Sequence, residues 1–223
     1  RLPPLYDFQY SLSREIKEML EGKIDEKHAI IAVPTGGGKT RLMVETIVDW
    51  LNEKGFEKNF IFWIAQSEEL CEQAINTFKE VFHDKGKFDK LTIHRFFKDS
   101  NSLPSPYDQG IIVANISMIA AHVNEFDEFA SRTSLIVIDE VHRSTSKMYR
   151  KFYRKMGIDF RLNRAKKTPE NEHKIALIGL SATPFRGNYS DSDDDDDPEE
   201  RKETETEKLH RYYHYNIMLP IIP

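Results

Sequence analysis

Ala29-Ile30-Ile31-Ala32-Val33-Pro34-Thr35-Gly36-Gly37-Gly38-Lys39-Thr40 runs an apolar strand into a glycine-rich turn that ends on a lysine and a hydroxyl. Met43, Ile47, Trp50 and Leu51 follow at helical spacing. A strand, a glycine turn and a helix in that order suit one kind of ligand, the phosphate chain of a nucleoside triphosphate. Glycine lets backbone N–H groups converge on an anion with no Cβ in the way. The helix start adds partial positive charge at the same place. Lys39 supplies a full charge, and the Thr40 hydroxyl can ligate Mg²⁺. The general motif opens on glycine, where this chain has Val33.

Outward from that stretch, four more short apolar runs recur: Phe60–Ala65, Ile111–Ala114, Leu135–Ile138 and Ile175–Leu180. None alternates apolar with polar. Strands covered on both faces have this pattern, as in a parallel sheet between helices. Leu70, Ala74, Phe78 and Phe82 form a helical stripe after Ser67, an N-cap residue with Glu68 and Glu69 in the first turn. Strands alternating with helices predict an α/β doubly wound domain, with ligands at the carboxyl ends of the strands. A shorter strand is expected around Leu91–Ile93. Asn101–Asp108, with two prolines, reads as a surface loop. The stretch Glu203–Ile217 is expected to be helical. His210 and His214 stand four apart in it, but no further ligand set accompanies them.

The formal net charge of −5 is concentrated in one place. Residues 191–200 hold eight acids and no base, so the remaining chain nets +3. Residues 188–202 are therefore expected to form an acidic flexible loop, and overall charge says little about partners. The single cysteine, Cys71, excludes an internal disulfide framework and fits a reducing compartment, cytoplasmic or nuclear. No apolar run is long enough to cross a membrane as a helix. The chain starts on Arg1 and stops on Pro223, which reads as one domain, 1–223, of a longer protein.

Leu135-Ile136-Val137-Ile138-Asp139-Glu140 ends another apolar run on two carboxylates. Next to a phosphate loop, Asp139 would hold Mg²⁺ through water and Glu140 would polarise the attacking water. Val141-His142 follows, and Ser181-Ala182-Thr183 follows the run at 175–180. At this point the chain resembles superfamily 2 helicases and translocases, and within them the DEAH-type branch that includes restriction-enzyme motor subunits. The matching pieces keep the family's order. Leu5-Tyr6-Asp7-Phe8-Gln9 looks like the adenine-reading element, and Val33–Thr40 is similar to motif I. Ala65–Gln73 resembles motif Ia, Val113–Ser117 motif Ib, Asp139–His142 motif II and Gly179–Arg186 motif III.

The resemblance implies a RecA-like P-loop domain that binds ATP and Mg²⁺ and hydrolyses ATP, with Lys39, Asp139 and Glu140 as its catalytic set. It implies that Gln9 reads the adenine edge, with Tyr6 or Phe8 as an aromatic surface, and that Thr35, Gly36, Gly37, Gly38, Lys39 and Thr40 wrap the phosphates. Thr40 and Asp139 would share the Mg²⁺. His142 would couple the hydrolysis site to Ser181 and Thr183. Gln66, Ser67 and Asn115 would touch the nucleic-acid backbone without reading sequence. DNA is favoured over RNA. A second RecA-like lobe is expected outside these residues, with a nuclease domain or subunit as a further partner. Glu68 departs from the pattern, since motif Ia often has a base there and a carboxylate repels phosphate; an acid favoured by the helix dipole is its other reading. Arg161, Arg164, Lys166 and Lys167 read as a solvated loop face or a nucleic-acid contact. Beside a helicase or translocase motor, an ATP-gated nucleic-acid clamp without processive movement fits the same motifs.

Overall fold

The computed structural model describes residues 1–100, 102–158, 160, 175–182, 204–213 and 216–220. Seven parallel strands form one sheet. They are β1 (His28–Ala32), β2 (Phe60–Ala65), β3 (Ile93–Phe96), β4 (Gly110–Asn115), β5 (Thr133–Asp139), β6 (Ala176–Ser181) and β7 (Ile217–Met218). Their spatial order is β3-β4-β2-β5-β6-β1-β7. β6 therefore lies between β5 and β1, in register from Leu135↔Ala176 on one side and His28↔Leu177 on the other. The chain leaves β1, crosses over both of these strands and re-enters the sheet at β2, which opens a crevice above β6 at the carboxyl ends.

Period-two alternation splits the strand residues between two cores. Ile31, Val33, Ile61, Trp63, Val113, Val137 and Ile178 face one layer, against α1 (Asp7–Leu20), α2 (Lys39–Lys54) and α3 (Glu68–Lys85). Ile30, Phe62, Ile64, Ile112, Ile136, Ile138 and Leu177 face the other. That layer holds α4 (Ile116–Ala121), α5 (Lys147–Lys155) and α6 (Glu205–Tyr212). Every residue of β1, β2 and β6 is buried, which accounts for their unbroken apolar runs.

α2 is buried beyond a single stripe. Leu42, Val44, Thr46 and Val48 are covered along with Met43, Ile47, Trp50 and Leu51, because α1 and α3 flank the helix while the sheet lies beneath it. On α3 the Ser67 side chain caps the helix as expected, its Oγ accepting from Leu70 N at 3.2 Å. The buried stripe there includes Cys71 and Ile75, while Leu70 and Phe82 are only half-buried.

Two expectations are corrected. The strand expected at 91–93 runs instead over Ile93–Phe96. It is an edge strand, covered only at Phe96, so it lacks the apolar run of its neighbours. Among the described residues of 203–217, the helix ends at Tyr212, and Ile217 enters β7 alongside β1, paired with Ile30. Residues 188–202, together with Arg161, Arg164, Lys166, Lys167 and His214, lie outside the described residues. No described helix is long and apolar enough to cross a membrane.

Candidate functional site

The phosphate-loop stretch sits at the carboxyl end of β1 and leads directly into α2. Val33 N donates to Ser181 O at 3.0 Å, so the loop springs from the same level at which β6 ends. Pro34, Thr35, Gly36 and Gly38 are exposed, and Gly37, Lys39 and Thr40 are half-buried. Gly38 caps α2 at φ 71°, a left-handed conformation that glycine adopts without a Cβ penalty. Gly37 is needed for a different reason. A Cβ there would lie 2.4 Å from Val33 Cγ1 and 2.9 Å from Pro34 O. The side chain that replaces the motif's usual first glycine thus folds under the loop and leaves room only for hydrogen at Gly37.

Across the crevice, β5 ends on Asp139, which is 3% exposed. Burial pushes its carboxyl up to about 6 from a usual 3.8, Lys39 pulls it back down, and Glu140 pushes it further up. Its Oδ1 accepts from Glu140 N at 3.1 Å. Glu140 takes a left-handed backbone at φ 57°, a strain of order 1 kcal/mol for a non-glycine residue. That turn carries its carboxylate back over the crevice. Lys39 Nζ is 3.2 Å from Glu140 Oε1, and His142 Nδ1 is 3.4 Å from Oε2. The lysine of one strand tip and the carboxylate of another therefore meet above β6, the strand between them.

Gln9 is buried, 4% exposed, and bridges two elements. Its Oε1 accepts from Tyr6 N at 2.8 Å and its Nε2 donates to Gly37 O at 2.9 Å. A primary amide has two donors and two acceptor lone pairs. One of each is used here, which leaves one donor and one acceptor, the pair needed to bond an adenine edge. Tyr6, 71% exposed, stacks in parallel on Phe8 with centroids 5.9 Å apart.

Gln66, Ser67 and Asn115 come together at the adjacent ends of β2 and β4. Asn115 Nδ2 donates to Gln66 O at 2.9 Å, and its Oδ1 accepts from Ser117 N at 2.8 Å. Asn115 and Ser67 both cap helices, so their side chains fix the strand ends as well as lining the surface. Glu68 is exposed in the first turn of α3. Ser181 is buried at the end of β6, while Thr183 lies outside the described residues. Behind the carboxylates, a Cβ on Gly179 would lie 2.3 Å from Val141 Cγ2, so β6 and the turn after Glu140 touch without a spacer. Sequence reasoning missed this contact, the Val33–Gly37 contact and the bond from Gln9 to the loop. The signal for the second was the valine itself, bulky where the motif is small. Among the described residues, no group of three or more His, Cys, Asp or Glu could hold a metal ion by itself.

Such an arrangement can take an anion on the glycine loop and Lys39, beside the carboxylates at the end of β5. The same fold occurs in helicase structures. The UvsW helicase from bacteriophage T4 matches with a TM-score of 0.60 at 15% identity, over 99% of this chain and 61% of that one. The helicase domain of Hef from Pyrococcus furiosus matches with a TM-score of 0.55 at 19% identity, over 97% of this chain and 38% of that one. At these identities the likeness is one of fold, and this chain spans less than two thirds of either protein. Curated proteins gave no match. The class is thus the RecA-like α/β domain seen in helicases. Residues 3–186 match the model of the type III restriction enzyme res subunit, and the chain belongs to that family.

Proposed function

We propose that this chain is an ATP-binding motor lobe of a helicase or translocase of the DEAH-type branch, acting on DNA rather than RNA. The observation that carries the reading is the 3.2 Å approach of Lys39 to Glu140 across the end of β6. A lysine from a glycine loop and a strand-end carboxylate at that separation frame the place where a γ-phosphate would sit. Membership in the res-subunit family and the helicase fold support nucleic acid as the track, and a restriction-enzyme family supports DNA.

ATP would lie with its phosphates on the amides of residues 36–40 and its base beside Gln9 and Tyr6. Lys39 would exchange its bond to Glu140 for the phosphates. Glu140, released, would orient water for in-line attack, and His142 at 3.4 Å would hold the carboxylate in line. Mg²⁺ fits the donor set, because a buried carboxyl held near 6 gains from a cation beside it, and Thr40 supplies a hydroxyl. When bound, Mg²⁺ would neutralise charge building on the phosphates. A second RecA-like lobe would add an arginine finger, worth about 10³–10⁵ in rate. Lobe closure and opening over a DNA strand held near Gln66, Ser67 and Asn115 would then move the protein. The test is ATP hydrolysis by the longer protein against single- and double-stranded DNA and RNA, alongside displacement of a DNA-bound block. DNA-stimulated hydrolysis with displacement supports the motor. Stimulated hydrolysis without displacement makes it an ATP-gated clamp, and no nucleic-acid response contradicts both.

A further inference from the structure

Glu45 lies in the middle of α2 with no exposed surface, and the triphosphate chemistry makes no use of it. A buried carboxylate is costly unless both of its oxygens are matched. Here they are. Arg41 reaches Oε1 through Nε at 2.9 Å and through Nη2 at 2.7 Å, while Lys85, at the end of α3, places Nζ 2.5 Å from Oε2. The fork of Arg41 is therefore locked in one orientation. From it, Nη2 also donates to the backbone carbonyl of Pro3.

That last bond ties down the arm that leads into α1. The arm carries Pro3 and Pro4, whose rings restrict its backbone. Leu5 plugs it into the core at 5% exposure. Three residues beyond Pro3, Tyr6 presents its exposed ring, and Gln9 reaches Gly37 O. The base-side surface is thus anchored at two places on the phosphate-loop side: Gln9 on the loop itself and Arg41 two residues after Lys39.

We infer that Arg41, locked by the buried Glu45, is a positioning residue that fixes the Tyr6–Gln9 surface over the phosphate loop and so sets the preference for adenine nucleotides. The inference rests on the proposed reading of Tyr6 and Gln9 as the base-facing side chains. Arg41 touches no nucleotide in this account. It acts through the arm, so it should matter for the base and not for the phosphates.

The test is calorimetric titration of the 223-residue chain with ATP, GTP and inorganic tripolyphosphate, with the urea midpoint measured for each variant. Arg41→Ala should weaken ATP binding about tenfold, the scale of a lost hydrogen bond to a charged group. It should leave GTP and tripolyphosphate unchanged. Arg41→Lys keeps a cation beside Glu45 but replaces the fork with a single ammonium. It should lower the urea midpoint less than Arg41→Ala does and still lose most of the ATP-over-GTP preference, so it decides the matter if Arg41→Ala does not fold. Gln9→Ala reports on the underlying reading. If it abolishes the preference while both Arg41 variants keep it, the tether is refuted and the base reading stands. If Gln9→Ala keeps the preference, the base reading fails and the tether falls with it. An equal loss for all three ligands in Arg41→Lys would make Arg41 merely structural and overturn the inference.

Discussion

Replacing Asp139 by asparagine should make the ligand-free protein more stable. The unfolded carboxyl ionises near 3.8 and the folded one near 6. The folded state therefore holds the proton more tightly, and stability is lost as pH rises from below 3.8 through 6. A shift of that size corresponds to about 3 kcal/mol at pH well above the folded value. Asparagine carries no charge at any pH, has nearly the same shape, and its Oδ1 can still accept from Glu140 N, now at 3.1 Å. Urea unfolding in the presence of a chelator, at a series of pH values from about 4 to 8, measures the effect. Asp139→Asn should exceed the wild type by about 2–3 kcal/mol at the alkaline end, and the gap should close toward the acid end. Adding ATP with Mg²⁺ should reverse the order by stabilising only the wild type. A variant of equal or lower stability at pH 8, or a gap that does not change with pH, would show that burial of the Asp139 carboxylate carries no such cost.

Glu140→Gln should leave ATP affinity within a few-fold of wild type and stop turnover in the longer protein, while Lys39→Ala should weaken both; rapid-quench hydrolysis together with equilibrium binding separates the two. Gly37→Ala drives a methyl into Val33 Cγ1 and should cost about 1–3 kcal/mol of stability and most nucleotide affinity, read by urea titration and calorimetry. Gly179→Ala, whose Cβ would meet Val141 Cγ2 at 2.3 Å and Tyr213 Cζ at 3.1 Å, should destabilise by a similar ~1–3 kcal/mol, and Val141→Ala in the same chain should recover part of that. Cys71, whose thiol burial pushes up to about 12, should stay unreacted with a thiol reagent at pH 8 in the folded protein and react fully in urea.

Much of the fold is legible in the sequence because a parallel sheet covered on both faces writes itself as unbroken apolar runs. β1, β2, β4, β5 and β6 all have that signature. β3 does not, since an edge strand with one covered residue carries no run to find. β7 is two residues long and is set by pairing with β1 rather than by its own pattern. α1 has Leu12, Ile16 and Met19 at helical spacing, but its N-cap is Tyr6 rather than a Ser, Thr, Asp or Asn, so no start signal marks the helix in the sequence.

The site is legible for a related reason. Glycine loops and strand-end carboxylates are local in sequence, and the sheet order brings them together without further instruction. What sequence does not show is contact between distant residues. Gln9 on Gly37, Val33 under Gly37, Val141 against Gly179 and Glu45 between Arg41 and Lys85 all depend on packing. Glu45 lies off the stripe of Met43, Ile47, Trp50 and Leu51, so nothing in the spacing marks it as buried.

Anomalous diffraction from crystals grown with Mn²⁺ and a non-hydrolysable ATP analogue would locate the cation and the nucleotide in one experiment. A metal peak is expected between the Thr40 hydroxyl and Asp139, with the terminal phosphate against Lys39 and Glu140 turned toward it. A nucleotide bound elsewhere, or a metal away from Asp139 while Lys39 keeps its bond to Glu140, would contradict that placement.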